Sequence, residues 1–313
     1  MIVQQPPSMA PILATQGDEH IDTEALVKAV DETMLQATHS EVELLQNASH
    51  HIISAGGKRI RPQMLLLTYL GLGGDDLNHA LPVAASIEMV HTASVVHDDI
   101  NDHGVTRRGR ASVNAKYGRT FALLTGDFLF TKVYELMASY SEANTIFAQA
   151  TKSLVEGETL QAAAVKENNL SREVYMRVIA LKTAELFRAA TQIGALLTGS
   201  DERTQEAMGE YGYKVGMAFQ IIDDVLDLTA SSEQLGKTAG IDTDQGKGFA
   251  SMEDADPMEA IREKAFSGDT IEKAIALAQH FVEEAIRDLD VMPDGEAKDK
   301  LIDIANLVID RSY

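Results

Sequence analysis

Two copies of the pattern Asp-Asp-x-x-Asp, Asp98-Asp99-Ile100-Asn101-Asp102 and Asp223-Asp224-Val225-Leu226-Asp227, are the part of this sequence best suited to chemistry. Each closes an apolar run with helical spacing. Residues three and four apart share one helix face, so each copy stacks its carboxylates. On a solvated face such like-charge pairs repel by about a few tenths of a kcal/mol each, and desolvation costs far more unless a cation joins them. No basic residue stands at helical spacing inside either copy. The pattern therefore predicts a Mg²⁺ site walled from two sides, because Mg²⁺ takes oxygen ligands and bridges carboxylates to phosphates.

Basic residues supply the phosphate half of that expectation. Arg107-Arg108-Gly109 follows the first acidic copy, and arginine forks match phosphate oxygens while glycine lets a ligand approach the backbone. Gly56-Gly57-Lys58-Arg59-Ile60-Arg61-Pro62 sets glycines and cations at a loop-to-helix junction, an anion-binding arrangement that is not a P-loop. Leu235-Gly236-Lys237 and Gly246-Lys247-Gly248 repeat the Gly-Lys pair after the second acidic copy. Lys182-Thr183 lies in a helical run, Gln220 shares the face of Asp223, and His91 stands two helical turns before Asp98. The rival reading of each is a solvated charge. His97-Asp98 also admits a metal-dependent phosphohydrolase, a chemistry that needs further histidines on other helices.

Composition narrows the classes. The 313 residues carry a formal net charge of −21, which argues against nucleic acid as a partner. With 45% hydrophobic residues, 5% aromatic and no Trp, the chain has a helical composition and ample material for a core. The absence of cysteine excludes disulfides, thiolate metal sites and a cysteine nucleophile, and fits a cytoplasmic protein. No apolar run is long enough to span a bilayer. Residues 1–20 read as a flexible, proline-containing leader, and 21–313 as a single all-helical domain.

The elements that must position these groups are helices. The spacing predicts helices over Ile21–Ser54, stopped by Gly56-Gly57, from Pro62 to about Gly71, and from Pro82 to about Asp102. Arg107–Asn114 reads as a loop, with further helices near 118–141, 144–168, 171–198 and 203–229. A glycine-containing loop over Ala230–Pro257 and two or three closing helices complete the chain. The expectation is all-α: an antiparallel helix bundle with the acidic copies facing a deep central cavity.

Together these residues resemble the all-trans isoprenyl diphosphate synthase family. The stretches are GGKRIRP (56–62), IEMVHTASVVHDDINDHGVTRRGRASVN (87–114), LLTGDFLF (123–130), EGETLQ (156–161), KTAELF (182–187), FQIIDDVLD (219–227) and LGKTAGID (235–242). The resemblance implies a usually homodimeric isoprenoid-synthase bundle. It implies a prenyltransferase that joins isopentenyl diphosphate head-to-tail to an allylic diphosphate after Mg²⁺-assisted ionisation, with about three Mg²⁺ ions per site. On this reading Asp98, Asp102 and Asp223 ligate the metal, supported by Asp99, Asp224 and Asp227. Arg107, Lys182, Lys237 and Lys247 hold the allylic diphosphate, with Thr183 and Gln220 at the reacting end. Lys58, Arg61, His91 and Arg108 hold isopentenyl diphosphate. After Gly246-Lys247, where the family usually continues Thr-Leu-Pro, this chain reads Gly248-Phe249-Ala250. A terpene cyclase would replace the second Asp-rich motif, and a noncatalytic subunit of a heteromeric synthase would tend to lose both.

In this family bulky residues one helical turn before the first acidic motif halt chain growth. Here those positions are Ala93 and Ser94, both small. A helical turn is about 5.4 Å, roughly one isoprene unit. A long all-trans product of about C25–C50 is expected, with a deeper floor at Ile87, Val90, Phe128, Phe130 and Met137. Ser94→Phe should shorten the product by at least one isoprene unit on chromatography, and an unchanged length would dispose of the floor.

Overall fold

Side-chain caps and glycines cut this chain into helices. The structure, a computed structural model, describes residues 20–169, 171–238 and 270–310. Helix α1 (Thr23–Ala37) starts at Asp22, whose carboxylate accepts from the N–H groups of Glu24 and Ala25 at 3.0 Å each. The expected run from Ile21 to Ser54 is broken before α2 (Glu43–Ile53). Thr38 folds its hydroxyl back to the Met34 carbonyl at 2.9 Å, and Ser40 accepts from the Val42 N–H at 3.1 Å. Such local side-chain bonds compete with helix continuation.

Helix α3 (Ile60–Gly71) begins two residues before Pro62, which sits in the first turn, where a missing N–H costs no helical bond. Helix α4 (Leu77–Asn101) also starts earlier than expected, with Pro82 inside it, because Asp76 caps the Asn78 N–H at 3.0 Å. Beyond α4 the expected loop holds a two-residue hairpin, β1 (Thr106–Arg107) paired antiparallel with β2 (Arg110–Ala111). Its turn residues Arg108 (φ 49°) and Gly109 (φ 73°) are both left-handed, as a tight hairpin requires.

Then follow α5 (Val113–Tyr117), α6 (Arg119–Met137), α7 (Ser141–Lys166) and α8 (Arg172–Ile179). A π-helical turn, Ala180–Ala184, joins α8 to α9 (Glu185–Leu196). Helix α10 (Glu202–Thr238) runs nine residues past its expected end at 229, so Leu235-Gly236-Lys237 lies in helix and not in a loop. One interior glycine costs only about 1 kcal/mol there. The remainder of the expected loop, with Lys247, lies outside the described residues. Helices α11 (Thr270–Asp288) and α12 (Glu296–Asp310) close the fold. Apart from the hairpin, the described residues contain no strand, and no helix among them is long and apolar enough to cross a membrane.

Two layers of contact place the site. Helix α4 lies among α1, α3 and α6, while α9 and the π turn lie among α3, α7 and α10. Met34, Leu65, Leu66, Ile87 and Met89 fill the first region, and Phe187, Tyr211 and Val215 the second. Close approach depends on glycine. A Cβ on Gly216 would meet the Ala184 backbone at 2.8 Å, and one on Gly212 would run into the Phe187 carbonyl oxygen. Backbone cannot yield as a flexible side chain does, so Gly212→Val should cost about 1–3 kcal/mol. Thermal melts should fall by several degrees, and an unchanged melt would mean that α9 and α10 part freely there.

Candidate active site

The first acidic motif occupies the C-terminal end of α4. Asp102 caps that end, its N–H donating to the Asp98 carbonyl at 2.8 Å. Carboxylates are unfavourable at this end of the helix dipole. Asp98 is partly buried and Asp102 exposed, one turn apart on one face. Asp99 turns into the core, 1% exposed, and accepts from Arg107 on β1 through Nε at 3.0 Å and Nη2 at 2.6 Å. The second motif repeats this division. Asp223 and Asp227 are exposed on α10. Asp224 is fully buried, accepting from the Tyr175 hydroxyl at 2.7 Å and the Gln220 amide at 3.1 Å.

The π turn joins the two motifs. Lys182 Nζ stands 2.6 Å from Glu158 of α7, 3.3 Å from Gln161 Oε1 and 3.6 Å from Asp98 Oδ2. Its neighbour Thr183 donates to Gln220 Oε1 at 2.9 Å, and Gln220 reaches Asp224. π turns interrupt the helical face pattern and often mark functional sites. Gly157 permits the arrangement, since a Cβ there would meet the Lys182 backbone N at 2.6 Å.

Burial, with Glu158 nearby, pushes the Asp98 carboxyl up to about 6 against the opposing pull of Lys182 and Arg107. Burial would lower Lys182, but Asp98, Glu158 and Asp102 more than offset it and hold the ammonium charged. Two cations, Lys182 and Arg107, face four carboxylates, Asp98, Asp99, Asp102 and Glu158, so the corner stays negative. Such an all-oxygen donor set suits a hard dication, and Asp99 Oδ2 is buried without a hydrogen-bond partner. Among the described residues no three His, Asp or Glu converge into a metal cage. Mg²⁺ held here would therefore need phosphate oxygens and water to complete its shell.

A cluster of arginines, Arg59, Arg61, Arg107 and Arg108, surrounds His91. Arg108 lays its guanidinium over Gly57, where a Cβ would come within 2.5 Å of Nη1. Arg61 sits 4.3 Å above the Phe187 ring, with Nε buried and lacking a hydrogen-bond partner. Burial lowers its guanidinium to about 10, opposed by Glu88. His91 is held well below the usual imidazole range by burial and then by Arg61, Arg108, Arg59 and Arg107. A neutral His91 among arginines is an arrangement that an anion would stabilise. Lys58 is exposed in the same loop.

The other residues singled out in the sequence are spread over several elements. Arg107, expected on diphosphate, donates to Asp99 and keeps its side chain 40% exposed. His97 turns toward α6, 3.4 Å from the Leu123 carbonyl, 3.7 Å from Asp127 and against the Phe130 ring, and among the described residues no metal-ligating cluster gathers around it. Lys237 has only its backbone described, and Lys247 lies outside the described residues. Ala93, Ile87 and Val90 are buried on α4, and Ser94 donates to the His91 carbonyl at 2.9 Å. On α6, which packs against α4, Met137 is buried and Phe128 and Phe130 partly so. Glu158, Gln161 and Tyr175 carried no assigned role, although EGETLQ contains the first two. Their roles depend on contacts between distant helices.

The polyprenyl synthetase family profile matches residues 42–277. The chain belongs to this family. Its members are metal-dependent prenyl transferases of all-helical fold. The chain is 35% identical to an octaprenyl diphosphate synthase of Haemophilus influenzae, with 92% of this chain and 94% of that one covered. It is 35% identical to a geranylfarnesyl diphosphate synthase of Natronomonas pharaonis, over 87% of this chain and 91% of that one. Its fold superposes with a TM-score of 0.77 on a polyprenyl synthase of Caulobacter crescentus complexed with calcium and isoprenyl diphosphate. Identity there is 29%, with 93% and 96% of the two chains covered.

The raised Asp98 carboxyl makes a testable demand on the metal-free protein. Between the ordinary aspartate range and about 6 the folded state binds this proton more readily than the unfolded state. Stability from this group therefore grows as pH falls through that window and is absent at neutral pH. Asp98→Asn should raise the stability of the EDTA-treated protein by about 1–2 kcal/mol at pH 7.5 and by much less at pH 4.5. A lower melting temperature at pH 7.5 would contradict this balance.

Proposed function

We propose that this chain is a trans-polyprenyl diphosphate synthase, condensing isopentenyl diphosphate with an allylic diphosphate to give a long all-trans product. The observation that carries the reading is Lys182, held between Asp98 and Glu158, next to Thr183, which reaches the second acidic motif through Gln220. Asp98, Asp102 and Asp223 would hold Mg²⁺, about three ions per site. Mg²⁺ bound there supplies Lewis-acid stabilisation of the charge that develops on departing diphosphate.

The chain's own groups supply the rest. Lys182 and Arg107, with Lys237 and Lys247, bind the allylic diphosphate and oppose its growing charge. Thr183 and Gln220 orient the reacting end. Lys58, Arg61, His91 and Arg108 bind the second diphosphate and fix its double bond against the allylic carbon, where proximity replaces a nucleophile. The new C–C bond leaves a cation that loses its proton to the released diphosphate, so no protein base is required.

Residues 21–313 act as one catalytic domain in the cytoplasm. A second copy would cover some of the large apolar side chains left exposed on α6 and α7, where Phe121, Leu124, Tyr134 and Val155 are 42%, 48%, 71% and 55% exposed. Incubation with Mg²⁺, isopentenyl diphosphate and C5–C20 allylic primers should yield prenyl diphosphates, and sedimentation should give the mass of a dimer. EDTA should abolish turnover, and Asp223→Ala should lower it at least about a hundredfold, a loss of several kcal/mol of transition-state stabilisation. Diphosphate release indifferent to isopentenyl diphosphate would overturn the reading.

A further inference from the structure

Arg59 stands between two residues proposed to bind diphosphate, yet its side chain is only 1% exposed. Its backbone is left-handed (φ 47°), unusual for a residue with a Cβ and sustained only where surrounding contacts fix it. The guanidinium supplies those contacts. Nε donates to Asp31 of α1, Nη1 to Glu88 of α4 and Nη2 to the Ile53 carbonyl at the end of α2, each at 2.8 Å. Arg59 also opens α3, its carbonyl accepting from the Gln63 N–H at 3.1 Å. One side chain thus ties three helices to the turn that leads into a fourth.

Burial of Arg59 would lower its guanidinium, but Glu88 and Asp31 more than offset this and keep it charged. Glu88 is itself 2% exposed and also opposes the burial of Arg61 and Arg108. Removing one member of such a buried network leaves the others uncompensated. Lys58 is the residue before Arg59 and Arg61 the second after it, so any swing of Arg59 moves both.

Resting on the reading above, we propose that Asp31, Arg59 and Glu88 are positioning residues for the isopentenyl diphosphate pocket. The buried guanidinium sets the left-handed turn, and the turn sets where Lys58 and Arg61 meet the ligand. Asp31 is the accessible end of the network. It lines an open groove of about 590 Å³ along α1 with Val27, Leu35 and Gln63, and its side chain is 32% exposed.

Asp31 is therefore the residue to change, because Arg59 retains Glu88 and Ile53 in an Asp31→Ala protein that should still fold. Charge alone predicts that losing a carboxylate tightens anion binding. Positioning predicts the opposite sign. Asp31→Ala should raise the KM for isopentenyl diphosphate about three- to tenfold, the net worth of one ordinary hydrogen bond. It should leave kcat and the allylic KM within about twofold. Asp31→Asn, which keeps an acceptor oxygen, should recover most of the loss. Calorimetry with inorganic pyrophosphate in EDTA should show the same order of affinities. Unchanged or tighter binding in Asp31→Ala, or equal losses for both substrates, would overturn the inference. Pyrophosphate affinities in this order across the three proteins, with no condensation by the unaltered one, would sink the synthase reading and keep this one.

Discussion

The site depends on one ammonium shared between carboxylates. Lys182 lies 2.6 Å from Glu158 and 3.6 Å from Asp98, so a single contact ties the end of α4, the middle of α7 and the π turn. The pairing is electrostatically incomplete, because a single positive charge serves two close carboxylates while burial disfavours the ionised form of Asp98. A folded protein tolerates such a deficit where a ligand or ion supplies the missing charge. The backbone geometry serves the same contact. Glycine at 157 lets α7 reach the π turn, and glycine at 216 lets α10 do so from the other side.

Each acidic motif divides its carboxylates in the same way, and the helix explains why. Successive residues are rotated by about 100°, so the second Asp of each motif cannot share the face of the first and last. Asp99 and Asp224 take the inward positions and are anchored by Arg107 and by Tyr175 with Gln220. Asp98 with Asp102, and Asp223 with Asp227, occupy the outward ones. Anchoring the middle carboxylate fixes the rotation of the helix, and thereby aims the others. A buried, hydrogen-bonded residue thus holds its exposed neighbours in place, and the buried Arg59 stands in the same relation to the exposed Lys58.

Much of this was legible in the sequence. The two motifs and the two basic clusters announce themselves because residues close in sequence act together. Helix existence was also clear, since apolar periodicity persists through α7 and α9 and a long apolar run between Pro82 and Gly104 marks α4. Boundaries were not, where a short-range competitor decides them: Thr38 and Ser40 break the first long run, Asp76 starts α4 before Pro82, and α10 continues through Gly236. The supporting residues were hidden for a different reason. Glu158, Tyr175, Asp31 and Glu88 act through partners on distant helices, and no local pattern separates them from ordinary surface charge or core aromatics. The π turn and the left-handed Arg59 are likewise imposed by packing and not by local preference.

The central claim is that carboxylates on α4 and α10 form a divalent-cation site completed by a prenyl diphosphate. Paramagnetic Mn²⁺ tests this most directly, titrated by electron paramagnetic resonance with and without an allylic thiolodiphosphate that resists ionisation. The account predicts weak Mn²⁺ binding to the protein alone and tight binding of more than one ion once the analogue is present. Mn²⁺ affinity and stoichiometry unaffected by the analogue would contradict it.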